Sequence, residues 1–120
     1  MKRKMLLVED NVLLAEVVVD AFDLIGFDVH GVQHGTDAIA LAQDRDFDAA
    51  LIDLELGEGP TGLEVATAIQ KLRPDMVVVL STGYDASTVD PELGVPVVGK
   101  PYRPDEIARL LTEHTSAPTA

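Results

Sequence analysis

Polar side chains that could share one reaction stand at four points of the sequence, and each point follows an apolar run. Met5-Leu6-Leu7-Val8 leads into Glu9-Asp10, and Ala49-Ala50-Leu51-Ile52 leads into Asp53. Met76 to Leu80 leads into Ser81-Thr82-Gly83, and Val95 to Gly99 leads into Lys100-Pro101. Short apolar runs bounded by turn residues predict buried strands. Open α/β sheets place their chemistry at the carboxyl ends of such strands. Parallel strands would therefore gather three acids, a hydroxyl and a lysine on one edge of one sheet. Carboxylates this close repel, by about 4 kcal/mol per pair at ~4 Å and an effective dielectric of ~20. A divalent cation relieves that repulsion. Oxygen donors without thiolate or imidazole select Mg²⁺ or Mn²⁺ over zinc.

The segments that must position these residues alternate in kind. Lys4 to Val8 reads as a strand, and Asn11 or Asp10 can cap the helix behind it. Leu14, Val17, Val18, Ala21, Leu24 and Ile25 keep a 3.6-residue period until Gly26 stops the helix. Phe27 to Val32 is a weaker strand, and Thr36 is the candidate cap of a helix from Asp37 to Gln43. Ala49 to Asp53 is the third strand. Gly62 opens a third helix with Leu63, Ala66, Ile69 and Leu72 on its buried face and Pro74 just past its end. Met76 to Leu80, rich in β-branched residues, predicts a central fourth strand. Asp85 to Gly94 should hold a short or irregular crossover helix, since it carries Pro91. Val95 to Gly99 is the fifth strand. Pro104 opens the last helix, with Asp105 and Glu106 in its first turn and Ile107, Leu110 and Leu111 on its apolar face. Five such alternations predict an α/β fold, a doubly wound parallel sheet of flavodoxin-like order 2-1-3-4-5. That order sets the ends of the first and third strands side by side, bringing Asp10 next to Asp53.

The ordered set Glu9-Asp10, Asp53, Thr82-Gly83 and Lys100-Pro101 resembles the receiver domain of two-component response regulators, over almost the whole chain. The resemblance implies that Asp53 accepts a phosphoryl group and that the protein catalyses its own phosphorylation and hydrolysis, without being a turnover enzyme. It implies metal binding by Asp10 and Asp53 directly, by Glu9 directly or through water, and by the backbone carbonyl of Glu55. Lys100 would pair with Asp53 and then with the phosphoryl group. The Thr82 hydroxyl would bond a phosphoryl oxygen, with Ser81 as the rival for that role. Backbone N–H groups of Leu54 and Gly83 would complete the cradle. The Lys100-Pro101 bond would be cis. Two departures stand out. The family usually has proline directly after the position of Leu56, and its glycine one residue earlier than Gly62, so the loop here is longer. Val97 stands where the family usually carries tyrosine or phenylalanine. Tyr102 sits where the family often has an aromatic residue, and simple packing would also explain it.

Composition narrows the alternatives. At 120 residues the length predicts one domain, a receiver over residues 1–114 with a flexible tail over 115–120 and no room for an output domain. The expectation is a stand-alone receiver, relay intermediate or phosphate sink, monomeric or weakly dimeric. A histidine kinase or histidine phosphotransfer protein would be its donor, and a protein its target. Nine basic against 21 acidic residues give a net charge of −12, which disfavours nucleic acid. There is no cysteine for a disulfide or thiolate site. The apolar run behind Met1-Lys2-Arg3-Lys4 is too short for a signal peptide, and no run approaches a membrane span, so a cytoplasmic location is expected. His30, His34 and His114 show no ligand spacing. A phosphatase with an aspartyl nucleophile would need an acid two residues after it, where Glu55 is one methylene too long. A phosphate-independent interaction module would not need the acids, the hydroxyl and the lysine together.

Overall fold

The sheet grows outward from β1 (Arg3–Val8) and β3 (Ala49–Asp53), which pair in parallel from Met5 opposite Ala49 to Val8 opposite Ile52. β2 (Phe27–Val32) adds to the other edge of β1, β4 (Val77–Thr82) to β3, and β5 (Val97–Gly99) to β4. All pairings are parallel and the order is β2-β1-β3-β4-β5, as the alternation of segments predicts. The computed structural model describes residues 2–84 and 94–115. The expected crossover from Asp85 to Gly94 lies outside these residues except for Gly94, and the expected tail does so except for Thr115. Among the described residues no helix is long and apolar enough to cross a membrane.

Helices α1 (Val12–Leu24) and α4 (Pro104–Thr115) cover one face of the sheet, and α2 (Gly35–Asp44) and α3 (Gly62–Leu72) cover the other. Successive strand residues point to opposite faces. Met5, Leu7, Leu51 and Val79 therefore pack beneath α1 and α4, while Leu6, Val8, Ile52 and Leu80 pack beneath α2 and α3. A sheet covered on both faces needs apolar residues at every position, which is why these strands read as unbroken apolar runs.

α1 and α3 sit in a different phase from the expected one, whereas α4 turns Ile107, Leu110 and Leu111 to the core as expected. α1 is anchored by Val18 and Phe22, spaced i, i+4, and leaves Val17, Leu24 and Ile25 exposed. Phe22 meets Phe27 edge-on, with ring centroids 5.6 Å apart. Turning the helix to bury Leu24 would expose that ring, the largest apolar surface on α1. α3 buries Val65 with Ala66 and Ile69, and leaves Leu63 and Leu72 at the surface. Val65 is drawn in because α2 comes so close that a Cβ on Gly35 would collide with it. The same close approach starts α2 at Gly35, with His34 as a cap that makes no side-chain bond, so Thr36 lies inside the first turn. Asn11, not Asp10, caps α1, its Oδ1 accepting the Leu14 N–H at 3.1 Å. Gly26 takes φ 101° and ends that helix as expected. β5 begins at Val97 because Pro96 has no N–H to place in the ladder. β4 runs on through Thr82, whose carbonyl accepts the Lys100 N–H at 2.8 Å.

Candidate functional site

The ladder continues one residue past β1, where the Glu9 N–H donates to the Val32 carbonyl at 3.0 Å, and this holds Glu9 inside the sheet edge. Asp53 ends β3 beside it. Both carboxylates are almost fully buried, at 1% and 2% exposure. Lys100 reaches between them, its Nζ 2.9 Å from Glu9 Oε1 and 2.9 Å from Asp53 Oδ2. The Lys100-Pro101 peptide is cis. Asp10 is more open, and oxygens of Glu9, Asp10 and Asp53 lie within 4.8 Å of one another. Backbone donors aim all three acids. Asn11 N–H bonds Glu9 Oε2 at 3.1 Å, Gly57 N–H bonds Asp10 Oδ2 at 3.0 Å, and Glu55 N–H bonds Asp53 Oδ1 at 3.0 Å.

The loop after β3 is shaped by this site. A Cβ at Gly57 would lie 3.1 Å from the Asp10 carboxylate, so glycine permits the approach. Gly62 opens α3 directly behind Asp53, where a Cβ would collide with the Asp53 carbonyl oxygen and lie 2.6 Å from the Leu54 Cα. A capping box fixes that helix start: Thr61 Oγ1 accepts the Glu64 N–H at 3.1 Å, and Glu64 Oε1 accepts the Thr61 N–H at 2.9 Å. The Thr61-x-x-Glu64 spacing stands in the sequence as the signal for it.

Charge at this edge is unbalanced, with three carboxylates around one ammonium. Burial pushes the Glu9 carboxyl above its ordinary range, against the Lys100 and Asn11 contacts, and the Asp53 charge adds to the push. Burial also works against the Lys100 ammonium, but its contacts to Glu9 and Asp53 outweigh that and hold its pKa up. Burial, helped by the Glu9 charge, pushes the Tyr102 hydroxyl up to about 12. That hydroxyl is buried without a hydrogen-bond partner among the described residues, and the ring packs against the core beneath α1 and α4. The acid cluster supplies only oxygen donors and an excess of negative charge, and so fits a hard divalent cation.

Glu9, Asp10, Asp53 and Lys100 thus come together at one edge, Thr82 and Gly83 are bonded to the Glu55 side chain two residues after Asp53, and one expected donor is spent elsewhere. The Leu54 N–H donates to the Ser81 carbonyl at 2.8 Å, as part of the pairing between β3 and β4, and cannot also serve a cradle. The N–H that touches the Asp53 carboxylate is that of Glu55, one residue on. Ser81 lies opposite Asp53 in the register, and its carbonyl is the one that takes Leu54. Thr82 is the hydroxyl engaged at the strand end, donating to Glu55 Oε2 at 2.7 Å and accepting the Tyr84 N–H at 3.1 Å. Gly83 N–H donates to Glu55 Oε1 at 2.7 Å. The position of the Glu55 side chain has no signal in the sequence beyond an acid two residues after Asp53.

Residues 5–112 match the family model of the response regulator receiver domain. The chain belongs to that family. Solved receivers share its fold. A CheY-like receiver domain protein from Methanospirillum hungatei is 23% identical and superposes with a TM-score of 0.84 over 97% of this chain and 98% of that one. A response regulator from Burkholderia pseudomallei with a phosphorylated aspartic acid, calcium ion and citrate is 24% identical, with a TM-score of 0.84 over 96% of this chain and 69% of that one. One from Thermotoga maritima in complex with Mg²⁺–BeF is 24% identical, with a TM-score of 0.82 over 93% and 98%. Within the receiver, Val97 is partly buried against the core beneath α2 and α3. The longer loop turns at Gly59, with φ 76°, and its Gly57 comes back onto Asp10.

Proposed function

We propose that this receiver takes a phosphoryl group onto Asp53 from a histidine kinase or histidine phosphotransfer protein, and acts as a switch, relay intermediate or phosphate sink. The observation that carries this reading is Lys100, paired at 2.9 Å with both buried carboxylates of a three-acid cluster. An Asp53 oxygen would form the new bond to phosphorus while the bond from phosphorus to the donor breaks. The electron pair of that bond leaves with the donor, an imidazole nitrogen in phosphohistidine or an acetate oxygen in acetyl phosphate. The residues contribute position and charge. Lys100 neutralises the incoming phosphoryl charge. Thr82 Oγ1–H, Gly83 N–H and Glu55 N–H are the donors for phosphoryl oxygens.

Glu9, Asp10, Asp53 and the Glu55 carbonyl would hold Mg²⁺, with Mn²⁺ as the alternative. When bound, the cation would offset the repulsion among the acids and the phosphoryl group. The Ca²⁺ and Mg²⁺–BeF named for two structural neighbours support a divalent site of this type. Glu55 is bonded to Thr82 and Gly83, which speaks against its serving as the general acid-base of a phosphatase. Phosphotransfer from candidate histidine kinases and phosphotransfer proteins tests the reading. Label should pass from phosphohistidine to this protein. Turnover of added phosphomonoesters would instead favour a phosphatase.

A further inference from the structure

The Glu55 side chain has an occupation that phosphotransfer does not use. Its carboxylate turns back from the loop after β3 to the end of β4, where Oε2 accepts the Thr82 hydroxyl and Oε1 the Gly83 N–H, each at 2.7 Å. Bonds this short to an ionised acceptor are charge-assisted and among the stronger hydrogen bonds. They engage two of the three donors assigned above to phosphoryl oxygens. The Glu55 N–H engages Asp53 itself. One residue therefore touches the acceptor with its backbone and covers the donors with its side chain.

We propose that the Glu55 carboxylate is an internal competitor, seated on the phosphoryl-binding donors of the unphosphorylated protein and displaced when Asp53 is loaded. This rests on the reading of Asp53 as acceptor. The exclusion follows from stoichiometry: the Thr82 hydroxyl and the Gly83 amide carry one hydrogen each, and neither can serve two anions at full strength. A phosphoryl group and a carboxylate on the same seat would also repel. Glu55 is exposed on its outer side, so the displaced carboxylate can move into water. Loading then has two costs, breaking the Glu55 bonds and moving its charge. The apparent affinity for any phosphoryl-like anion is lowered by the fraction of molecules whose seat is free. Displacement also gives the loaded protein a different outer surface, with the Glu55 charge released beside the exposed Tyr84. Such a readout needs no aromatic ring at Val97.

Beryllofluoride, which mimics a phosphoryl group on aspartate, tests this at saturating Mg²⁺ with Glu55→Ala and Glu55→Gln. Both substitutions keep the backbone N–H and carbonyl. Glu55→Ala should bind beryllofluoride roughly tenfold more tightly than the unmodified protein, the loss of about one charge-assisted hydrogen bond's worth of competition. Glu55→Gln, which keeps an acceptor without the charge, should fall between. In the metal-free, unphosphorylated protein the Gly83 amide proton should resonate far downfield and move upfield in Glu55→Ala. An affinity equal to or weaker than that of the unmodified protein in Glu55→Ala, or a Gly83 resonance that does not move, would overturn the competitor. Absence of beryllofluoride binding in all three proteins would overturn the acceptor reading with it.

Discussion

Lys100 and Asp10 touch the same cluster with opposite charges, and their substitution separates metal binding from phosphoryl chemistry. Asp10→Asn removes an anionic oxygen from the proposed cation site and should weaken Mg²⁺ binding at least tenfold, on the order of 1.4 kcal/mol. Lys100→Ala removes the competing ammonium and should leave Mg²⁺ binding equal or tighter, while acetyl phosphate labels the protein more slowly. Isothermal titration beside a labelling time course reads both, and metal loss in Lys100→Ala with retention in Asp10→Asn would contradict the assignment. Glu9 adds a pH dependence. Its folded pKa is raised above 4.5, chiefly by burial, so the folded protein holds this proton more tightly than the unfolded chain. The stability this group contributes is present below about pH 4.5 and is lost as pH rises through the raised folded value. Without metal, Glu9→Gln should therefore gain in urea midpoint relative to the unmodified protein as pH rises from that range to neutral. A gap that narrows instead would show the carboxylate to be a net stabiliser.

The elements hold the site through close backbone approaches, and Gly62 is the tightest. A Cβ there meets the Asp53 carbonyl and the Leu54 Cα, backbone atoms that cannot turn aside as a side chain could. Gly62→Ala should cost about 3 kcal/mol in chemical denaturation, the upper part of the overpacking range, and should slow phosphorylation by shifting the end of β3. An unchanged denaturation midpoint would mean that α3 can retreat freely. Much at this scale is legible in the sequence. β2 and β3 have the expected bounds because Gly26 and the polar turn around Asp44, Arg45 and Asp46 set where they start, and the strand order is the flavodoxin-like one expected for five alternations. The helix phases are harder to read. Leu63 and Val65 are both apolar and one is exposed; the choice is made by Gly35 across the α2–α3 contact, a residue distant in sequence. The Leu54 and Glu55 amides differ by one residue, and the register with Ser81 decides which is spent in the ladder. Pairing registers are tertiary facts. The seat taken by the Glu55 carboxylate depends on the path of a loop whose glycines give no fixed direction.

For the whole molecule, a cluster of three acids within a chain of net charge −12 keeps a strained charge arrangement at one end of an otherwise apolar, two-layered core. Binding a cation there should stabilise the whole fold by linkage, by about 2.7 kcal/mol at a hundred times the dissociation constant. In thermal unfolding this corresponds to a rise on the order of 10 °C, reversed by chelation and much reduced in Asp10→Asn. No rise with saturating Mg²⁺ would contradict the metal assignment. The central claim, that Asp53 is the acceptor, is tested most directly by intact-mass analysis after incubation with Mg²⁺ and acetyl phosphate. The mass should increase by one phosphoryl group, hydroxylamine should remove it as it removes an acyl phosphate, and Asp53→Asn should show no increase. A hydroxylamine-labile adduct that persists in Asp53→Asn would place the acceptor on another residue.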